Sequence, residues 1–231
     1  MSTNIEMTRR KSNRIPALII HAIIFYAFWA CWALLIRPAL KDAVQDPFLV
    51  EILGACVKLA TWTLPALLLI RHFSPELQVG LRQMFTQKVP LKSAVLWILL
   101  FSAYSGGNCL FALFRGNLHI NPEFSLQTHF WLLVVGITEE AVFRGWMLNA
   151  TAKSERDWKM ILLNGVMFLC IHFPGWIQKG VFVSAFTGFG FLSVILFGAA
   201  AGICFLKHKN LLLVVFIHML YDFILEFWQV G

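Results

Sequence analysis

Long apolar blocks alternate with short polar segments along the whole chain. Seven blocks stand out, over residues 15–36, 48–70, 92–114, 128–150, 159–176, 181–206 and 211–229. A bilayer core about 30 Å thick takes about 20 apolar residues in helical form. The pattern therefore predicts an all-α, polytopic transmembrane helix bundle of seven spans. An eighth requires a further crossing or re-entrant turn hidden around Pro174–Lys179, or a split of the long block over 181–206, which would spoil the alternation of basic loops. The polar segments are too short for a separate soluble domain, so residues 1–231 form one membrane-embedded domain with any active site inside the membrane. Residues 71–90 mix Pro75, Gly80 and Pro90 with Leu81, Met84 and Phe85, which predicts an interfacial helix. The stretch Gly198-Ala199-Ala200-Ala201-Gly202 lets another helix approach closely, within the bundle rather than in a dimer.

Composition agrees with this pattern. Hydrophobic residues make up 59% of the chain and charged residues 13%. A soluble domain has roughly 45–50% and about 25% respectively. That excludes an ordinary cytosolic domain, a disordered chain and a disulfide-rich secreted module. Cys31, Cys56, Cys109, Cys170 and Cys204 all fall inside apolar blocks without CxxC spacing, as packing residues do.

The net charge of +7 suggests nucleic acid only until the basic residues are placed. They fall between the spans. If the N-terminus is cytoplasmic, thirteen of the 19 Lys and Arg lie on the cytoplasmic side, beginning with Arg9, Arg10, Lys11 and Arg14. Only Arg37, Lys41, Arg115 and Lys179 lie opposite. This is the positive-inside distribution, and no nucleic-acid partner is expected. The run Ile15 to Ile36 is too long for a signal-peptide core and no A-x-A-like site follows it, so it reads as a retained first span. The expected location is a bacterial cytoplasmic membrane.

The informative residues are ionisable groups inside apolar blocks, which cost about 2.5–3.5 kcal/mol each on insertion scales and usually have a task. The fourth block carries Glu139, Glu140 and Arg144, the fifth His172, and the seventh His218 and Asp222. Counted from the cytoplasmic ends at a rise of about 1.5 Å per residue, they lie ~10–20 Å deep, near one level. Glu140 and Arg144 are i,i+4 and can pair on one face. Glu139 sits about 100° around the helix and lacks that partner, which suits a general base. His218 and Asp222 are also i,i+4. Lys58, within the second block, has no evident role.

In order, EExxxR (Glu139, Glu140, Arg144), FxxxH (Phe168, His172) and HxxxD (His218, Asp222) resemble the three motifs of the CAAX protease and bacteriocin-processing family, also called Abi. Its members are intramembrane proteases related to the type II CAAX prenyl endopeptidases. Gly198 to His218 also resembles the family's glycine-containing helix that leads to the histidine motif. The resemblance covers about residues 130–222. It implies a glutamate-dependent endopeptidase whose protein or peptide substrate is a prenylated CaaX C-terminus, a bacterial peptide precursor or a membrane-anchored protein. Glu139 and His172 would activate water, His218 and Asp222 would stabilise the oxyanion, and Glu140 and Arg144 would support the site. Prenyl endopeptidases of the family have eight spans, and the best-described of them have Asn at the position of Asp222, where other members vary. An ionised Asp cannot donate to an oxyanion, so Asp222 is either protonated or orients His218. The orientation deduced from charge opens the site toward the cytoplasm.

Three other readings stay open. A metal, Zn²⁺ above all, would take Glu139, His172 and His218 as ligands; no cofactor is otherwise expected. A non-proteolytic bacteriocin-immunity or partner-binding membrane protein would keep the motifs as structure. A proton-relay transporter would use the same buried groups, although the odd span count and lack of visible inverted repeats oppose it. Oligomeric state is left open.

Overall fold

The computed structural model describes residues 2–125, 129–188 and 190–228, and side chains from residue 13 onward. The Arg9, Arg10 and Lys11 side chains lie outside the described residues, as do residue 128, where the fourth block starts, and residue 229, where the seventh ends. Helices α1 (Ser2–Cys31), α2 (Arg37–Ala43), α3 (Pro47–Lys58) and α4 (Leu64–His72) make the first two passes. Short α5 (Leu81–Thr86) leads to α6 (Leu91–Phe114). Then follow α7 (Trp131–Glu140), α8 (Asn149–Thr151), α9 (Trp158–Cys170), α10 (Phe173–Gln178), α11 (Phe182–Thr187), α12 (Gly190–His208) and α13 (Leu211–Phe227). No strand occurs among the described residues.

Local chemistry sets the boundaries. Asp46 caps α3 by accepting from the N–H groups of Phe48 and Leu49, with Pro47 at the first helical position. Asn210 caps α13 by accepting from Leu213 N–H. Widened π turns occupy Trp32–Ile36 and Leu59–Thr63. Each lies just ahead of a proline, Pro38 and Pro65, whose missing N–H breaks the regular ladder. A third π segment, Ala141–Leu148, joins α7 to α8 in one continuous helical run.

Five helical stretches among the described residues are long and apolar enough to cross a membrane: Asn13–Ala43, Pro47–His72, Leu91–Phe114, Trp158–Gln178 and Gly190–His208. The expected count of seven is not reached on that measure. The run beginning with α7 carries Glu139, Glu140 and Arg144, and α13 has 17 residues, about 26 Å of helix. The block read over 181–206 is also divided, into α11 and α12.

The loops sort to two ends. At one end Arg14 donates to Glu76 O, Gln78 to Ala152 O and Asn210 to Gln87 O. Lys209 stands 3.9 Å from Glu155 there. At the other end Gln178 donates to Ala33 O, and Asn121 to Glu226 O at 3.2 Å. Both α7 and α13 run between these same ends. The expected interfacial helix is α5, and Val79 and Met84 beside and within it are fully buried in the base of the bundle.

The core forms where α7, the π segment after it, α9, α12 and α13 meet, and it is filled by Phe143, Trp146, Phe168, Phe197 and Phe205. Isoleucines 19, 20, 23 and 24 on α1, and Leu96, Leu99 and Leu100 on α6, point outward. Outward apolar side chains are the expected finish for a lipid-facing surface. The small-residue stretch of α12 packs inside the bundle: a Cβ on Gly198 would lie 3.0 Å from Gly165 Cα, and one on Gly165 would lie 2.9 Å from Ile195 O.

Candidate active site

The fourth, fifth and seventh blocks bring their ionisable residues together. Glu140 and Arg144 are fully buried. Arg144 Nη1 donates to Glu140 Oε1 at 2.9 Å, and Nη2 donates to Gly198 O at 3.0 Å. The guanidinium also lies 4.6 Å from the centre of the Phe168 ring. This is the i,i+4 pair expected from spacing, with α12 tied to it through one carbonyl.

His218 is the hub. Its Nδ1 donates to Glu140 Oε1 at 2.7 Å. Its Nε2 stands 3.5 Å from Asp222 Oδ2 and 3.9 Å from Glu139 Oε2. Both ring nitrogens thus face carboxylate oxygens, a pattern that a doubly protonated ring satisfies with two donors. Phe168 and Phe197 hold the ring edge-on at centroid distances of 5.8 and 4.7 Å.

His172 sits at a break in the helix. Pro174 cannot continue α9, because its ring collides with the carbonyl four residues earlier, and α9 ends at Cys170. The chain turns at His172 and restarts as α10. His172 Nδ1 lies 3.2 Å from Phe168 O. A carbonyl only accepts, so Nδ1 carries the proton and Nε2 keeps its lone pair. Carbonyls at the end of α9 find partners on α1: Tyr26 donates to Met167 O and Trp29 Nε1 to Ile171 O, each at 2.7 Å.

Glu139 does not stand alone, which corrects the expectation. Lys58 Nζ lies 3.3 Å from its Oε1. The lysine without an evident role and the glutamate without a partner are one ion pair. Their pairing spans 81 positions of chain and has no periodic signal. Trp29 was likewise missed. It is an aromatic residue in an apolar block, and nothing in its spacing marks it.

Glu139, His172, His218 and Asp222 all line one cavity of about 760 Å³. The same cavity is lined by Arg37, Lys41 and Lys179. These belong to the end opposite Arg14, Lys209 and the other loops rich in basic residues. The opening toward the cytoplasm deduced from sequence is therefore inconsistent with the charge-based orientation from which it was drawn. Glu139 is eight residues, about 12 Å, from the start of α7, which lies at that same opposite end.

Among the described residues, no three His, Cys, Asp or Glu side chains are grouped to hold a metal ion. One oxygen of Glu139 faces an ammonium, and one nitrogen of His218 is committed to Glu140.

Residues 121–224 match the sequence model of the family described as Type II CAAX prenyl endopeptidase Rce1-like. This segment is Rce1-like. The match takes in just under half of the chain and all seven motif residues, and it bears out the resemblance to CAAX proteases. The Rce1-like family is a protease family, and with its apolar helices the chain is an integral membrane protein. Trp29 and Lys58 lie outside the Rce1-like segment. No curated protein and no solved structure matches the chain.

Proposed function

We propose that this protein is an intramembrane endopeptidase that cleaves a protein or peptide substrate with water activated by Glu139 and His172. The observation that carries the proposal is the convergence of Glu139, His172, His218 and Asp222, from three helices, on the wall of one cavity within the Rce1-like segment. Amide hydrolysis needs a base for water and a stabilised oxyanion. Glu139 takes a proton from water as the oxygen bonds to the scissile carbonyl carbon, while His172 Nε2 accepts a hydrogen bond from the same water. The carbonyl oxygen becomes an oxyanion, to which His218 Nε2–H donates. As the C–N bond breaks, Glu139 returns the proton to the leaving amine. The 3.5 Å approach of Asp222 to His218 supports an orienting role for this carboxylate, with His218 as the donor. Glu140 and Arg144 fix His218 from behind.

In this proposal seven helical passes cross a bacterial cytoplasmic membrane, with α7 and α13 enclosed by the apolar ones and the N-terminus cytoplasmic. The cavity mouth at Arg37, Lys41 and Lys179 then faces away from the cytoplasm. That geometry favours a peptide precursor or a membrane-anchored segment presented from the far side over a cytoplasmic prenylated C-terminus.

The test compares protein termini in membranes of cells carrying wild type or Glu139→Gln at equal folded levels. Loss of a general base costs about 10²–10⁴ in rate, so termini made by this enzyme should vanish in the variant. Identical termini in both would reject proteolysis and favour a partner-binding or immunity role.

A further inference from the structure

Lys58 ends α3, in the N-terminal spans outside the Rce1-like segment, yet its ammonium reaches the first glutamate of EExxxR. It lies eleven residues, about 16 Å, from the start of α3, too deep for its head to return to the interface at that end. Nζ stands 3.3 Å from Glu139 Oε1, 5.0 Å from the centre of the Trp29 ring and 4.7 Å from that of Trp62. Those indoles meet edge to face at 4.7 Å and hold the ammonium against their faces. Trp29 also donates to Ile171 O, one residue before His172. A cation within a membrane span is costly and persists where it has a partner or a task.

The charges in the site sort into pairs. Glu140 has Arg144 at 2.9 Å, and Asp222 has His218 at 3.5 Å. Glu139 has Lys58 at 3.3 Å and, farther away at 3.9 Å, a His218 that two other carboxylates share. Without Lys58, Glu139 would keep no counter-charge of its own. We propose that Lys58 is a positioning residue for the Glu139 base. It holds Oε1, leaves Oε2 toward His218 and the cavity, and stabilises the negative charge that a carboxylate must carry to take a proton from water. The N-terminal spans thereby complete an active site whose motifs all lie in the other half of the chain.

This inference rests on the proteolytic reading, and its test separates the two. The full-length protein is purified in detergent, and a quenched fluorescent peptide is built on a cleavage site whose new terminus requires Glu139. In Lys58→Met, kcat falls about 10–100-fold, the loss of one charge-assisted hydrogen bond, while KM is little changed. Lys58→Arg keeps most of the activity. Ethylammonium added to Lys58→Ala restores turnover, and ethanol, of similar size but neutral, does not. A merely structural lysine would show no such selectivity. Wild-type or raised turnover in Lys58→Met, with Glu139→Gln inactive, overturns the inference and leaves the protease standing. Where no Glu139-dependent cleavage exists, infrared difference spectra against Glu139→Gln decide without activity. Loss of the Glu139 carboxylate bands in Lys58→Met supports the pairing, and unchanged bands overturn it.

Discussion

At the residue scale, the site contains more charge than a membrane interior accepts unless every charge is answered. Arg144 answers Glu140 and also reaches the Gly198 carbonyl, so it closes a link between two helices while neutralising a carboxylate. Breaking a buried pair from one side costs about 3–5 kcal/mol, because the remaining charge keeps its desolvation penalty. Arg144→Met is therefore expected to lower stability by about that amount, read as a large drop in the thermal unfolding midpoint in detergent. Arg144→Lys keeps the charge but not the fork that serves Glu140 and Gly198 at once, and it should fall between the two. The six ionisable motif residues were legible in the sequence because an ionisable group in an apolar block is conspicuous on physical grounds alone. Their pairing within one helix, Glu140 with Arg144 and His218 with Asp222, was legible from i,i+4 spacing. Lys58 with Glu139, and Glu140 with His218, were not, since contact between distant helices has no local periodicity.

At the element scale, backbone breaks place the chemistry. Pro174 ends α9 beside His172, and Pro65 follows the π turn that begins just after Lys58. The third π segment begins just after Glu140 and contains Arg144. Each widened or broken turn re-aims a side chain that a regular helix would carry elsewhere. Helix contact is set by small residues. The missing Cβ of Gly165 lets α9 approach the α12 backbone, where a methyl would meet Ile195 O at 2.9 Å. A backbone oxygen cannot swing aside as a side-chain tip can. Gly165→Ala is expected to cost about 1–3 kcal/mol by overpacking, and to lower activity as well, because α12 supplies the carbonyl that holds Arg144. Unfolding curves and cleavage rates measured on the same preparation check both. The small-residue stretch was legible as a packing face, but its partner, α9, was not. The division of the block over 181–206 into α11 and α12 was opposed by the alternation of basic loops, and its local signal is slight: Thr187, Gly188 and Gly190 in an otherwise apolar run.

At the scale of the whole molecule, two facts oppose a cytoplasmic active-site entrance. Thirteen of the 19 Lys and Arg belong to segments at the end of the bundle that holds the N-terminus, and the cavity is lined by Arg37, Lys41 and Lys179 of the opposite end. By the positive-inside rule the richer end is the one expected in the cytoplasm. The sequence carried that bias, but not the end at which the cavity opens. That depends on where the helices diverge, and divergence is a property of the folded bundle. The orientation can be measured directly. Cys31, Cys56, Cys109, Cys170 and Cys204 are free, so a cysteine-free background is made by replacing all five. Single cysteines are then introduced at Lys41 and Lys179 at the mouth, and at Lys153 and Lys209 at the opposite end. A membrane-impermeant maleimide applied to intact spheroplasts should label positions 41 and 179, and should reach 153 and 209 only after lysis. Pre-incubation with a peptide that carries the cleavage site should slow labelling at 41 and 179 and leave 153 and 209 unchanged. The reverse pattern would place the entrance in the cytoplasm and make a cytoplasmic C-terminus the substrate to pursue. The catalytic arrangement would stand in either case, because it depends on distances inside the bundle and not on the direction in which the bundle was inserted.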